Sequence, residues 1–336
     1  TQAAYRAVLE GRSLRPATPA VKPGWETLPS LDVPLSGREE ALHRLGQLFS
    51  AAQKGHGAAV LISGEAGIGK SRLMQEFATR LGDRVQVLAG AGHADTQTMP
   101  YQPVVQALRP ALLSEPARFR PLYPWLTEAS RLMPELHTVH PGLPPPLRVR
   151  PKEARARLFE ALCQLVLEMA SGPRPLLLCL DDLHWADGET LGWLGFVGRR
   201  ISGSRIVVVG TYRSEEAYAT AALSRGLNRL GILVEVTLTG LDEASVLRIV
   251  QQQARTRGSV REETAVARRL REITGGNPFF LLETLRVLIE SGWEPAALGS
   301  PQAIPLPDTV RGAVRARIEH LTPKARQVLE AGAVLG

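Results

Sequence analysis

The chain has 336 residues, 44% of them hydrophobic and 22% charged, a globular composition long enough for more than one core. No apolar run approaches the roughly 18 residues of a membrane span, which excludes a transmembrane helix. The net charge of +7 comes from 35 arginines and only five lysines, spread along helical stretches and interleaved with glutamate as in "REETAVARRLRE". That pattern reads as solvated helix faces, so charge alone does not point to nucleic acid.

Residues 1–30 read as a short helical piece followed by the proline-bearing linker "RPATPAVKPG". The start, "TQAAYRAVLEGRSLRP", has neither an initiator methionine nor a signal-peptide pattern, so a piece of a longer protein is expected. A helix is predicted from about Gly37, with Ser36 and Glu39 at capping-box spacing and Leu42, Leu45, Phe49 and Ala52 on one face. The apolar residues 58–62 predict a buried strand. After a glycine-rich turn, Leu73, Met74, Phe77 and Leu81 recur at helical spacing, and Gly82 supplies a stop.

Further strands are predicted at 84–89, 175–180, 206–210 and 234–238. The clearest intervening helix covers 153–170, where Leu158, Phe159, Leu162, Leu165, Val166 and Met169 form one stripe. Strands alternating with helices predict an α/β fold with a parallel sheet. "MPELHTVHPGLPPPLRVRP", residues 133–151, predicts a long surface loop with polyproline character at 144–146. Beyond Gly240 the strands stop, and helices are predicted at 242–257, 261–274, 278–291, 308–320 and 323–334.

Cys163 and Cys179 lie among apolar residues and read as small buried hydrophobes in a reducing, cytoplasmic setting. His137 and His140 have no other ligand nearby, so no metal site is read there.

Gly64, Glu65, Ala66, Gly67, Ile68, Gly69, Lys70 and Ser71 fit G-x-x-x-x-G-K-[ST] without departure, between a predicted strand and a predicted helix. A triphosphate requires several inward-pointing backbone N–H groups, and side chains would block that approach. Glycines let the chain wrap, and the helix N-terminus adds its dipole. Lys70 would reach the β- and γ-phosphates, Ser71 would offer its hydroxyl oxygen to Mg²⁺, and Arg72 completes the cradle.

The expected acidic partner stands at the end of "PLLLCLDD". Two carboxylates after an apolar run are costly unless a cation or polarised water meets them. Asp181 is the candidate for the Mg²⁺ shell and Asp182 for orienting or deprotonating the attacking water. A strand-end turn with an aspartate cap is the competing explanation, and Asp187 is assigned that role, as the cap of a helix over 188–199.

The cradle together with "LLLCLDDLHWAD" resembles the STAND class of signalling ATPases within the AAA+-like P-loop superfamily. The resemblance covers about residues 31–336. "PLSGREEALHRL" looks like that class's opening motif, which puts Gly37 and Arg38 near adenine and ribose. "VVVGTYRSEE" looks like the strand ending in a sensor arginine, here Arg213, directed at the γ-phosphate. "GGNPFFLLE" looks like the helical-lid motif, in which Pro278 packs on the base. "LPDTVRGAVRARIEHLTPKARQVLEAGAVLG" looks like the start of a winged-helix arm.

Local explanations stand beside these. Asn277-Pro278 is also an N-cap and N1 pair, Arg213 and Arg38 could be surface residues, and His184 and Trp185 could serve packing.

The resemblance implies a P-loop nucleotide-binding domain over 31–240, a helical lid over 241–303 and a truncated winged-helix start over 304–336. Residues 1–30 resemble the last helix of a bacterial transcriptional activator domain, plus linker. The implied whole is an ATP/ADP-controlled, Mg²⁺-dependent switch of a transcriptional regulator. It would self-associate when ATP-bound, take an inducer through a C-terminal region and meet DNA through an N-terminal domain. Many fast relatives carry glutamate where this chain has Asp182, so slow hydrolysis is expected. The alternative is a DNA-handling AAA+ ATPase of origin-binding or loader type, with Arg311, Arg315 and Arg317 on one helix; a small-molecule kinase ranks below both.

Overall fold

A computed structural model describes residues 34–253, 260–290, 311, 312, 318, 328 and 329. Its centre is a five-stranded parallel sheet: β1 (Ala58–Gly64), β2 (Gln86–Ala91), β3 (Leu176–Asp181), β4 (Ile206–Arg213) and β5 (Leu233–Thr237), in the order β2-β3-β4-β1-β5. β1, β3 and β4 lie inside the sheet, and their near-continuous apolar sequences reflect burial on both faces.

The period-two alternation of each strand divides the core. Val60, Ile62, Cys179, Val207 and Val209 face α1 (Glu39–Gln53) and α2 (Lys70–Leu81), meeting Leu45, Phe49, Leu73, Met74 and Phe77. Ala59, Leu61, Leu178, Leu180, Ile206 and Val208 belong to the larger core on the other face. That core includes α3 (Gln102–Ser114), α4 (Tyr123–Ala129), α5 (Pro151–Ser171), α6 (Gly188–Ile201) and α7 (Ala217–Arg229). The helices α8 (Glu243–Gln253), α9 (Val260–Thr274) and α10 (Pro278–Glu290) build a third core around Val246, Ile249, Leu270, Leu281 and Leu285. The fold is thus α/β with a following helical unit.

Parallel strands put their C-terminal ends on one edge of the sheet. The residues following β1, β3 and β4 therefore share that edge, and β4 separates β1 from β3. Gly64 at the end of β1 stands opposite Arg213 at the end of β4. In open α/β sheets, ligands bind outside the C-terminal ends of the strands, where the order of the strands reverses.

Three local expectations need correction. The segment 133–151 is less of a loop than its prolines suggest: it contains a short helix, Leu136–Val139, and buries Leu136, His140 and Leu143. The helices α3 and α4 leave no clean signal because prolines interrupt their periodicity, Pro103 and Pro110 in one and Pro124 in the other. The capping box does not form: Arg38 is the N-cap of α1, without a side-chain cap, while Ser36 accepts a hydrogen bond from Arg248 Nε at 2.9 Å. Residues 1–30, the winged-helix start over 304–336 apart from a few helical residues, and Arg315 and Arg317 lie outside the described residues.

Candidate nucleotide-binding site

The phosphate cradle is built by left-handed glycines. Gly64, Gly67 and Gly69 have φ of 153°, 77° and 96°, values that a Cβ disfavours. A Cβ on Gly64 would lie 2.8 Å from the Leu238 carbonyl oxygen, and one on Gly67 would lie 2.8 Å from the Phe279 Cβ. Gly69 is the N-cap of α2, so the helix opens directly from the loop and its N-terminal end faces it.

Lys70, the first residue of α2, is buried and donates from Nζ to the carbonyls of Gly64 and Glu65, both at 2.9 Å. Burial lowers its pKa from the ordinary lysine value, with Asp182 and Asp181 opposing and Arg213 reinforcing that change. These four side chains share one electrostatic neighbourhood.

Across β4, one hydroxyl organises both acidic tips. Thr211 is fully buried; its Oγ1 donates to Asp181 Oδ1 and accepts from the Asp182 backbone N–H at 2.9 Å. Asp182 itself has φ 49° and ψ 51°, a left-handed conformation that aspartate tolerates better than most residues. Burial, reinforced by the Asp181 charge, pushes its carboxyl up to about 6, while Lys70 and Arg213 pull the other way.

The turn Leu183–Trp185 follows immediately. Leu183 presses on Gly210, where a Cβ would come within 2.4 Å of Leu183 Cδ1. The His184 ring is buried, 3.8 Å from Asp182 Oδ1 through Nδ1, and burial pushes it down to about 4, so it is neutral. Arg213 lies with its guanidinium 5.9 Å from the centre of the Trp185 ring and 3.5 Å from Glu216.

The helical unit meets the cradle directly. Asn277 Nδ2 donates to the Ala66 carbonyl at 3.0 Å, and the Phe279 N–H donates to the Gly67 carbonyl at 3.3 Å. Pro278 sits between these two contacts, at the first position of α10. Arg38 is buried and donates to the carbonyls of Ile68 (3.1 Å) and Thr239 (2.8 Å), tying the loop to the chain leaving the sheet. Gly37, at φ 69°, packs so closely on α8 that a Cβ would reach 2.5 Å from Ser245 Oγ.

These residues fit a magnesium-bound nucleotide. The glycines hold the loop in conformations that wrap backbone N–H groups around an anion, and Ser71, Asp181 and Asp182 offer the hard oxygen donors that Mg²⁺ takes. Among the described residues, no cluster of histidine, cysteine and carboxylate side chains suits a metal bound by protein alone.

Residues 34–209, just over half of the chain, match the family described as AAA ATPase domain. The chain belongs to the AAA ATPase domain family. An uncharacterized protein of Rhizobium meliloti (strain 1021) is 27% identical over 213 residues, which are 55% of this chain and 19% of that protein. The chain thus spans about a fifth of that relative's length. Among solved structures, the Aeropyrum pernix ORC2 protein, in ADPNP and ADP complexes, superposes with a TM-score of 0.50 at 18% identity, covering 86% of this chain and 72% of that one. The Thermotoga maritima RuvB Holliday junction branch migration motor gives 0.40 at 15% identity, covering 77% of this chain and 65% of that one. The first likeness speaks for the fold.

Beyond the matched residues, the sequence pattern marks neither Thr211 nor Phe279 as functional and gives Asn277 only a capping role. Asn277 does cap, accepting from the Phe279 N–H at 3.1 Å, and the same side chain holds the loop. A threonine in an apolar strand, two residues from a candidate sensor, was the available signal for Thr211. Asp187 caps α6 as expected, through N–H bonds from Glu189 and Thr190 at 2.9 Å. It also holds the Tyr101 N–H at 3.0 Å. Among the described residues, no helix is long and apolar enough to cross a membrane.

Proposed function

We propose that this AAA ATPase domain is a slowly hydrolysing, ATP/ADP-controlled switch of the STAND class, serving a transcriptional regulator. In this reading, the cradle from Gly64 to Arg72 wraps the phosphates, with Lys70 on the β- and γ-phosphates. Ser71 and Asp181 would hold Mg²⁺, which when bound neutralises phosphate charge. Asp182 takes the proton of a water whose oxygen bonds to the γ-phosphorus as the bond to ADP breaks. Arg213 reads the γ-phosphate. Gly37, Arg38 and Pro278 belong to the base and ribose end, where the carbonyl contacts of Arg38 support a role in shaping the loop.

The observation that carries the switch reading is the pair of hydrogen bonds from Asn277 and Phe279 to the loop carbonyls of Ala66 and Gly67. A change of loop shape between ADP and ATP is then felt by the helical unit without an intermediary. Moving a population from mostly closed to mostly open takes roughly 5.5 kcal/mol of differential binding, part of which a γ-phosphate contact of Arg213 supplies.

The proposed organisation is a nucleotide-binding domain over 31–240, a lid over 241–303 and the start of a winged-helix arm over 304–336, after the end of an upstream helical module in 1–30. The partners are adenine nucleotide, further copies of the chain in the ATP state, an inducer acting through a C-terminal region, and DNA through an N-terminal domain, all in the cytoplasm.

Replacing Arg213 by alanine decides the matter. ADP affinity should stay close to wild type while ATP-dependent assembly, followed by light scattering, is abolished. Equal assembly by variant and wild type would overturn the sensor assignment, and unchanged ATP binding in Lys70→Ala would overturn the site as a whole.

A further inference from the structure

His184 is the most costly side chain at this edge of the sheet. Its ring is fully buried, yet neither Nδ1 nor Nε2 has a hydrogen-bond partner. A buried polar atom left in that state costs on the order of 1–3 kcal/mol, and a leucine or phenylalanine would fill the space without that penalty. Asp182 Oδ1 lies 3.8 Å from Nδ1, about 0.9 Å beyond a normal N–H···O contact.

The two sides of this gap are held differently. The backbone around His184 is fixed, by Trp185 N–H to the Asp182 carbonyl at 2.9 Å, by Ala186 N–H to the Leu183 carbonyl at 3.1 Å, and by Leu183 seated on Gly210. The Asp182 side chain, by contrast, is 38% exposed. Lys70, Arg213 and Glu215 are the charged groups that face the imidazole besides Asp182. A neutral imidazole carries one N–H, and Nδ1 is the ring nitrogen that lies 3.8 Å from the carboxylate.

We propose that His184 is a positioning residue: its Nδ1–H captures Asp182 Oδ1 when nucleotide draws that carboxylate inward, and so fixes the other oxygen toward the attacking water. This rests on the hydrolysis reading above. It gives Asp182 a captured setting with Mg-ATP in place, closer to the ring than the 3.8 Å seen here.

The test uses the full 336-residue chain and two substitutions that separate the ring nitrogens. His184→Asn places an amide N–H near the Nδ1 position, whereas His184→Gln places it near Nε2. Single-turnover hydrolysis should fall on the order of 10- to 100-fold in His184→Gln and stay near wild type in His184→Asn. Both should melt at the same temperature and bind fluorescent ATP and ADP analogues equally. Independently of turnover, ¹⁵N spectra of the wild-type imidazole should show the Nδ1–H tautomer, with a downfield-shifted, slowly exchanging proton once a non-hydrolysable Mg-ATP analogue is added and not in Asp182→Ala.

Equal rates in the Asn and Gln variants, or an Nε2–H tautomer in the loaded protein, would overturn the proposal. Hydrolysis that persists in Lys70→Ala would instead sink the underlying reading, while the spectrum would still decide the tautomer.

Discussion

Thr211 spends a single hydroxyl on two jobs, donating to the Asp181 carboxylate and accepting from the Asp182 backbone. Replacing it with valine keeps the shape and the strand propensity while taking the hydroxyl from two half-buried partners. Thr211→Val should therefore lose about 1–3 kcal/mol of stability, read from denaturant midpoints, and weaken Mg²⁺-dependent nucleotide binding more than metal-free binding. Asp182 illustrates how backbone conformation selects a side chain. Aspartate and asparagine enter the left-handed region more readily than glutamate, so Asp182→Asn should keep the wild-type melting temperature and lose hydrolysis. Asp182→Glu should be destabilised by about 1 kcal/mol despite its retained carboxyl. The two cysteines make a chemical prediction. Burial pushes the Cys163 thiol up to about 11 and raises Cys179 further from its ordinary value. At pH 8 both should be protonated and inert to thiol reagents in the native protein, and both should react in denaturant.

At the scale of elements, the contact between α10 and the phosphate loop sets the expectation for nucleotide exchange. Asn277→Ala removes two side-chain hydrogen bonds, of which the one to the loop is worth about 1 kcal/mol, so ADP release measured by stopped flow should quicken roughly fivefold. Unchanged release would separate the helical unit from the loop. Elements were legible in the sequence where one physical signal dominated. The β1–loop–α2 unit stood out because the glycines, the lysine and the apolar strand all serve one geometry, and β3 because an unbroken apolar run ends in two carboxylates. β4 was read three residues short, since its buried Thr211 and half-exposed Tyr212 resemble the start of a loop. Of the helices between β2 and β3, α5 is legible from its apolar stripe, whereas α3 and α4 are not: proline at a helix start is favourable but breaks the periodic pattern by which a helix is recognised. The contacts of Arg38 and Asn277 with the loop span 30 and 211 residues of chain, respectively. No local pattern encodes such pairings.

On the scale of the whole molecule, two apolar cores grip the sheet and a third belongs to the helical unit. A ligand that binds at the sheet edge and touches the helical unit stabilises both cores at once. Saturating ADP, at about one hundred times its dissociation constant, should add about 2.7 kcal/mol to unfolding and merge the two units into one calorimetric transition. The phosphate loop also carries a hidden mechanical property. Gly67 has room for a hydrogen where a methyl group would strike Phe279. A single added carbon there works as a wedge driven between floor and roof, prising α10 away with no charge altered and no nucleotide required. The glycine that this loop pattern demands for wrapping an anion is, in this chain, also the notch into which its own cover fits.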